Sequence, residues 1–246
     1  MKTYESHEYE YQRMQTKGIK SWDLRSYAWE IDPNDQRFLE DVFAQPWTPQ
    51  NGKVLELGCG TGPLLRMLAQ RGFGGVGIDI SKTAIQMAKE QSEGNNITYH
   101  VGDICAIPKE MRGKFDFIID GHAAHCITQL EDRVALFEGI YTALKPDGVF
   151  VLMTMCAPVQ RKLFSQLYEG DCVVDGSIYT PVNSTDGWSD ARMIKGNPYI
   201  PTRRLEHWKS ILKQLQQMGF TPQLLRVNRY NEQEAVSYLN AAFTLK

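Results

Sequence analysis

The fold of this chain is set by one short stretch, Val54-Leu55-Glu56-Leu57-Gly58-Cys59-Gly60-Thr61-Gly62. Its first half is typical of a buried strand, and its second half has glycine at every second position. We expect a helix to follow, with Thr61 at its N-cap, Pro63 in its first turn and Gly72 beyond its end. Glycines between a strand and a helix allow a tight turn and leave bare backbone N–H groups for a ligand.

Strand and helix patterns continue to alternate along the chain to residue 154. A helix is predicted after Ser81, and another from Leu130 to Leu144, stopped by Lys145-Pro146-Asp147-Gly148. Such alternation is typical of a parallel sheet covered by helices on both faces, so the predicted fold class is α/β and doubly wound. The further predicted strands are Gly75–Asp79, Ile97–Val101, Phe115–Ile119 and Val149–Met153.

Composition excludes several classes of protein. The chain carries 27 Lys and Arg against 29 Asp and Glu, a net charge of −2, which argues against a nucleic-acid partner. No apolar run approaches the ~18 residues of a membrane span, and the Met1–His7 start lacks the apolar region of a secretory signal. We therefore expect a cytoplasmic protein. Its five cysteines include no C-x-x-C pair, which disfavours a disulfide framework or a four-cysteine zinc site.

An acidic residue ends the second predicted strand, where it could bind the ribose hydroxyl groups of a nucleotide-like ligand. Asp79 ends the second predicted strand, and a carboxylate there binds ribose in a doubly wound sheet. A nicotinamide-dependent oxidoreductase is one alternative, but its glycine fingerprint needs glycine at position 63, where this chain has Pro63. The pair Tyr141 and Lys145 has the spacing found in short-chain dehydrogenases, yet it stands at a helix end directly before Pro146.

These motifs resemble those of the class I (Rossmann-like) S-adenosylmethionine-dependent methyltransferases, and the resemblance spans residues 50 to 155. It implies that S-adenosylmethionine is the methyl donor and S-adenosylhomocysteine the product. It also implies that the glycine loop wraps the methionine end, Asp79 binds the ribose, Asp103 binds the adenine amino group, and Asp120 lies near the methionine portion. The residue after each of the first two acids would pack beside the adenine ring. The implied cofactor-binding residues are Glu56, Gly58, Cys59, Gly60, Gly62, Asp79, Ile80, Asp103, Ile104 and Asp120.

The resemblance also organises the rest of the chain as one methyltransferase domain, 1–246. Residues 51–155 form the cofactor-binding core, and 1–50 form an N-terminal cover. The segment 156–204 is long for a connection without regular structure, so it is expected to be a lid or substrate insertion. Residues 205–246 supply a C-terminal helix (Leu205–Met218) and an antiparallel hairpin (Pro222–Val227 with Val236–Thr244), which completes a mostly parallel seven-stranded sheet.

The acceptor must be inferred from residues outside the shared motifs. After the fourth strand, enzymes that methylate DNA bases or amide nitrogens usually carry Asn/Asp-Pro-Pro-Tyr, whereas this chain has Asp120-Gly121-His122-Ala123. Together with the near-zero charge, this favours a small-molecule acceptor, with no nucleic acid and no membrane partner. The protein is expected to be a monomer or homodimer.

Two histidines follow the fourth strand, where the transferred methyl group should point. His122 and His125 are the candidate catalytic residues, because an imidazole can take a proton from the acceptor near neutral pH. No metal is assigned, although a helical run would place both histidines and Cys126 on one face that could hold one. A structural role, with one histidine pinning the loop and the other in the core, also stays open.

The acceptor pocket has further candidate walls. Arg192, Arg203 and Arg204 suit a carboxylate or phosphate on the acceptor, although they are equally consistent with a solvated loop. The aromatic residues that could wall the pocket, or else face a covering helix, are Tyr11, Trp22, Tyr27 and Trp29.

A non-catalytic S-adenosylmethionine-binding or regulatory protein of the same fold is the main alternative to an enzyme.

Overall fold

The computed structural model describes residues 1–26, 28–94, 96–157, 170–228 and 236–246. Within them, the α-helices are α1 (His7–Thr16), α2 (Pro33–Phe43), α3 (Pro63–Gln70), α4 (Lys82–Gln91), α5 (Leu130–Ala143) and α6 (Trp208–Gln217). The strands are β1 (Gly52–Leu57), β2 (Phe73–Asp79), β3 (Ile97–Val101), β4 (Phe115–Gly121), β5 (Leu144–Cys156), β6 (Cys172–Val174), β7 (Ser177–Pro181), β8 (Arg192–Ile194), β9 (Asn197–Arg204), β10 (Phe220–Asn228) and β11 (Ser237–Leu245).

The main sheet has seven strands in the order β10-β11-β5-β4-β1-β2-β3. From β3 to β5 all neighbours are parallel, and β11 lies antiparallel between β5 and β10. This confirms the predicted doubly wound sheet with its C-terminal hairpin. The strand order reverses beside β1, which pairs with β2 on one side and β4 on the other. Ligands of α/β sheets bind at the carboxyl ends of strands at such a reversal.

Two apolar cores lie on opposite faces of this sheet because successive strand residues face opposite ways. Leu55 and Leu57 belong to the core that is covered by α5 and α6. Val54 belongs to the core that is covered by α2, α3 and α4. All three side chains are fully buried, as expected for the central strand of a doubly wound sheet.

Some local boundaries differ from the sequence prediction. Helix α3 is preceded by Gly62 at its N-cap, in the left-handed region at φ 77°, so the prediction of Thr61 at this position is wrong. The Thr61 hydroxyl is buried and has no hydrogen-bond partner among the described residues, so it does not cap the helix. The run Lys145–Gly148, predicted as the turn that stops a helix, lies instead in β5, because α5 already ends at Ala143.

The expectation of a connection without regular structure is wrong for residues 170–204, whereas their role as a lid or substrate insertion stays a prediction. This segment contains a small antiparallel sheet, β6-β7-β9-β8. Two of its hairpins turn at Asp175-Gly176 and Lys195-Gly196, all four residues having positive φ. Such two-residue turns match the twist of the flanking strands, and the Asp-Gly pair is a sequence signal that would have predicted the first hairpin. Residues 158–169 lie outside the described residues.

The N-terminal segment closes over the carboxyl edge of the main sheet. Glu8 of α1 accepts hydrogen bonds from Ser81 Oγ (2.6 Å) and Thr83 Oγ1 (2.7 Å) at the start of α4. Thr3 Oγ1 donates to Asp190 Oδ1 (2.9 Å), which links the segment to the loop before β8. The two covering segments are therefore joined to each other as well as to the core.

Within the described ranges, every helix is too short or too polar to cross a membrane.

Candidate active site

A cavity of about 490 Å³ lies at the carboxyl edge of the sheet, beside the strand reversal. Its floor comes from the loops after β1, β2, β3 and β4, and its cover comes from the N-terminal segment and β9. Its size falls within the ~300–1,000 Å³ of small-molecule sites. The predicted site residues on its wall are Glu56, Gly58, Cys59, Gly60, Asp79, Ile80, Asp103, Ile104, His122 and His125.

The glycine loop is held against the end of β2. The N–H groups of Gly58 and Cys59 both donate to the Ile78 carbonyl (2.8 and 3.1 Å), and the N–H of Gly60 donates to Asp79 Oδ2 (2.8 Å). These three N–H groups are therefore engaged within the protein, and the prediction that they stand bare for a ligand is wrong. A Cβ on Gly60 would lie 2.5 Å from the Tyr11 hydroxyl, so glycine is required for the close approach of α1.

Asp79 fixes the corner between the glycine loop and α4. Its second carboxylate oxygen accepts from the Ser81 N–H (2.8 Å). Burial raises the pKa of this carboxyl, which the hydrogen bonds from Ser81 and Gly60 oppose. Each carboxylate oxygen has a further lone pair, so Asp79 can still accept a ligand hydroxyl from its place on the wall.

Asp103 holds the N-terminal segment over the end of β3. Its Oδ2 accepts from the Tyr4 hydroxyl (3.0 Å), and its Oδ1 accepts from the Cys105 N–H (2.8 Å). Ile80 and Ile104, the residues that follow the acids of the second and third strands, both lie on the cavity wall. Contact of these two side chains with the adenine ring stays a prediction.

Two buried polar atoms on the wall lack an internal partner. Glu56 Oε2 and Thr61 Oγ1 have no hydrogen-bond partner among the described residues. Burial raises the pKa of Glu56 well above its usual value. Because unpaired buried polar atoms are costly, both atoms fit a site completed by a polar or cationic ligand group.

Two predicted cofactor residues do not reach the cavity. Asp120 is fully buried, and its Oδ1 accepts the N–H groups of Ala123 (2.9 Å) and Ala124 (3.1 Å). It therefore shapes the turn after β4, and Gly121 stands on the wall instead. Gly62 is also absent from the wall, and a Cβ there would lie 2.1 Å from the Tyr99 hydroxyl. A direct contact of these two residues with the cofactor stays a prediction.

His122 is paired with a buried acid that sequence reasoning missed. Its Nε2 lies 2.7 Å from Asp35 Oδ2 of α2, and the other oxygen of Asp35 accepts from Asn240 Nδ2 of β11 (3.0 Å). His122 has a φ of 73°, a left-handed conformation that is uncommon for a side chain of this size. The Tyr238 ring packs edge-on against its imidazole at 5.9 Å.

This pairing changes the charge of the imidazole. Burial opposes protonation of His122, but Asp35, with smaller contributions from Asp23 and Asp120, raises the histidine pKa to about 9. Asp23 also faces this pair, and burial raises its own pKa to about 6. His122 is therefore an imidazolium at neutral pH in the absence of a bound cation.

His125 has a different environment. Its Nδ1 accepts the Met155 N–H at 3.3 Å, and its side chain is 4% exposed. Burial lowers the pKa of His125 to about 4, so the ring is neutral and its Nδ1 lone pair is engaged. This arrangement pins the loop after β4 to β5.

The helical run that could have gathered a metal site does not form. Only Ala124–Cys126 make a short 3₁₀ turn, and His122 lies outside it. Among the described residues, no group of three or more His, Cys, Asp or Glu side chains is placed to hold a metal ion.

Only some of the residues predicted to wall the acceptor pocket line the cavity. Arg203 lies on the cavity wall. Arg204 instead donates to Glu206, and Arg192 is exposed with its guanidinium over the Tyr179 ring. The aromatic residues Tyr11 and Trp22 also line the cavity, whereas Trp29 does not and Tyr27 lies outside the described residues.

Comparisons with known proteins identify the family of this chain. A family model described as a methyltransferase domain matches residues 49–217. The ubiquinone biosynthesis O-methyltransferase of Chromobacterium violaceum is 30% identical over 195 residues, 77% of each chain. A Bacillus subtilis relative is 27% identical over 110 residues, and the match spans only 42% of that protein and 42% of this chain.

Solved structures give the same fold. The 1,6-didemethyltoxoflavin-N1-methyltransferase of Burkholderia thailandensis, in complex with S-adenosylhomocysteine, aligns over 97% of this chain and 90% of its own with a TM-score of 0.60 at 14% identity. The family match covers more than half of the chain, and the seven-stranded sheet is the one that the family's motifs imply. This chain therefore belongs to the class I S-adenosylmethionine-dependent methyltransferases.

Proposed function

We propose that this protein transfers the methyl group of S-adenosylmethionine to a small-molecule acceptor, with His122 as the residue that takes the acceptor's proton. The observation that carries the proposal is the His122–Asp35 pair. It stands at the end of β4, on the wall of the same cavity as the glycine loop and Asp79.

The donor would occupy the side of the cavity formed by β1, β2 and β3. The carboxylate of Asp79 would bind the ribose hydroxyls, and Ile80 and Ile104 would flank the adenine ring. The unpartnered Glu56 Oε2 would bind the ammonium group of the methionine portion, which supplies the missing partner for a buried acid. When bound, S-adenosylmethionine supplies a methyl group activated by a sulfonium.

His122 has one nitrogen available for proton exchange. Nε2 is held by Asp35, so Nδ1 is the atom that gains or loses a proton. An ion pair with a buried carboxylate fixes the ring orientation, as the third group of a catalytic triad does. A nearby positive charge disfavours an imidazolium, so the sulfonium is expected to lower the pKa of His122 from about 9 and prepare the ring as a base.

The remaining walls support a small, enclosed acceptor. Trp22, Tyr238 and Asp23 line the cavity with His122, and Arg203 adds a positive charge from β9. The covering segments lie over the cavity, and methyl transfer gains from the positioning that such a cover provides. The named activities of the Chromobacterium and Burkholderia proteins also concern small molecules.

The test combines a binding measurement with a transfer measurement. Purified protein is titrated with S-adenosylhomocysteine, then incubated with methyl-labelled S-adenosylmethionine and an ultrafiltered metabolite extract. We expect the label to appear in a small molecule, with one S-adenosylhomocysteine formed per methyl group transferred.

Two results would count against the proposal. Binding of S-adenosylhomocysteine without transfer to any fraction would support a non-catalytic cofactor-binding protein. Label in the macromolecular fraction alone would contradict a small acceptor. Asp79→Asn serves as the matched control, because it should lose cofactor binding and labelling together.

A further inference from the structure

Cys126 differs from the other cysteines in what surrounds it. It is half-buried on the cavity wall, and His7, His125 and Arg203 line the wall beside it. Cys105 and Cys172 are also half-buried, but burial raises the pKa of both thiols. The chain therefore contains matched controls for the reactivity of Cys126.

The tautomer of His7 is fixed by the main chain. Its Nδ1 lies 2.7 Å from the Tyr4 carbonyl oxygen, which only accepts, so Nδ1 carries a proton. The other nitrogen, Nε2, lies 3.9 Å from Cys126 Sγ. Nε2 is therefore the atom that can take the thiol proton, which leaves a thiolate beside an imidazolium.

His125 is the opposite tautomer, with its proton on Nε2 instead of Nδ1. Because its Nδ1 accepts the Met155 N–H, the proton of the neutral ring is on Nε2. His125 directly precedes Cys126 in the chain, and both residues line the cavity wall. His7 is therefore the imidazole that can accept the thiol proton, as in activated cysteine nucleophiles.

Charges of both signs face the sulfur. Burial alone would raise the pKa of the Cys126 thiol, but Arg203, His125 and His7 bring it well below the usual value. Asp79 and Asp120 act against this, since the charge of Cys126 raises the pKa of both. The Tyr11 hydroxyl, whose own pKa burial raises well above its usual value, stays neutral. The neutral His125 ring adds no positive charge, so Arg203 and the protonated His7 are the cations that outweigh the acids.

We propose that Cys126 is a thiolate nucleophile on the cavity wall and a site of oxidation by hydroperoxides. The sulfur attacks one peroxide oxygen, an S–O bond forms, the O–O bond breaks, and the other oxygen leaves as water or an alcohol after protonation. The sulfur loses two electrons to the peroxide and becomes a sulfenate. This reactivity is independent of methyl transfer and would exist even if no acceptor were ever methylated.

Oxidation at this place has a consequence for ligand binding. Cys126 shares the cavity with Asp79 and the glycine loop, so an added oxygen occupies space and brings a polar group to that wall. We expect the sulfenate form to bind S-adenosylhomocysteine more weakly, and bound S-adenosylhomocysteine to protect the thiol.

The first experiment measures alkylation of the native protein by iodoacetamide, with each cysteine followed by peptide mass spectrometry. At about pH 6.5 an ordinary thiol is only ~1% thiolate, so Cys126 should react at least about tenfold faster than Cys105 or Cys172. Its rate should stay nearly constant to about pH 8, whereas the Cys172 rate rises about tenfold per pH unit. A Cys126 rate that rises in parallel with the Cys172 rate would overturn the proposal.

The second experiment treats the protein with hydrogen peroxide and traps sulfenate with dimedone. We expect the adduct on Cys126 and slower labelling when S-adenosylhomocysteine is present. His7→Gln and Arg203→Gln should each slow both reactions, and circular dichroism reports whether either variant has lost its fold. An adduct mainly on another cysteine, or equal rates in both folded variants and the native protein, would contradict the assignment.

Discussion

His122 Nε2 and Asp35 Oδ2 lie 2.7 Å apart, although 87 positions separate the two residues in the chain. The acid is 3% exposed and is held from its other side by Asn240. Three elements, α2, the loop after β4 and β11, thus meet at one imidazole on the cavity wall. This relationship connects the stability of the fold with the chemistry of the site.

The first prediction separates the two histidines. His122→Asn keeps a residue that tolerates the left-handed backbone, and it should slow methyl transfer by about 10²- to 10⁴-fold, the contribution of a general base. His125→Asn should mainly lower stability, because it disturbs the bond to the Met155 N–H. Transfer rates and urea unfolding of both variants check this. Unchanged transfer in folded His122→Asn would remove His122 from the mechanism.

The second prediction concerns pH and stability. The neighbouring carboxylates, Asp35 above all, raise the pKa of His122 from 6.5 to about 9. The protonated histidine therefore stabilises the fold fully below about pH 6.5, and this stabilisation disappears as the pH rises through about 9. We expect the native protein to lose on the order of 1–3 kcal/mol of unfolding free energy over this window.

Asp35→Asn should abolish most of that pH dependence. Asp116→Asn, which breaks the more exposed pair with Lys145, serves as the control and should keep it. Urea unfolding at both ends of the window gives the comparison. An identical pH dependence in native protein and Asp35→Asn would show that this pair does not set it.

The third prediction distinguishes donor from product. S-adenosylmethionine carries a positive sulfonium and S-adenosylhomocysteine does not, so only the donor should displace the proton of His122. Donor affinity should therefore rise between about pH 7 and pH 9, while product affinity changes less. Calorimetry in two buffers of different ionisation enthalpy measures the released proton. Equal proton release for both ligands would contradict the placement of His122 near the sulfonium.

The fourth prediction tests the acid at the end of β2. Asp79→Asn should weaken S-adenosylhomocysteine binding by about 5- to 150-fold, which corresponds to about 1–3 kcal/mol for hydrogen bonds to a charged group. Asp116→Asn again gives a control that is distant from the cavity wall. Titration calorimetry measures both affinities, and an unchanged affinity in Asp79→Asn would exclude this carboxylate from the cofactor site.

The fifth prediction concerns the close contact between the glycine loop and α1. Gly60→Ala places a methyl group 2.5 Å from the Tyr11 hydroxyl and 3.5 Å from the ring carbon that bears it. The variant should therefore be destabilised, and Tyr11→Phe should restore part of the loss by removing the hydroxyl. The strain of alanine at a φ of 52° should remain, at about 1–2 kcal/mol. Thermal unfolding of the two single variants and the double variant measures the rescue; additive losses would show that the two residues are not in contact.

Several predicted cofactor residues lie on one cavity wall, and their role in cofactor binding stays a prediction. A buried strand, a glycine loop and a strand-end acid all lie within residues 54–79, where the chain itself brings them together. Even there, the pattern did not show that the loop N–H groups bind Ile78 and Asp79, because that depends on how β1 and β2 align. The small sheet of residues 170–204 was missed although Asp175-Gly176 carried a local signal for its first turn.

By itself, the sequence determined the fold class, because apolar periodicity shows strands alternating with helices, and the resemblance of its motifs to a known family implied the donor. Only the tertiary structure decided the chemistry of the two histidines. His122 acquires its charge from Asp35 on a distant helix, and His125 loses its free lone pair to the Met155 N–H of β5. The activation of Cys126 by His7 has the same origin. Such pairs form because packing brings remote elements to one edge of the sheet, and no spacing along the chain encodes which residues will face each other there.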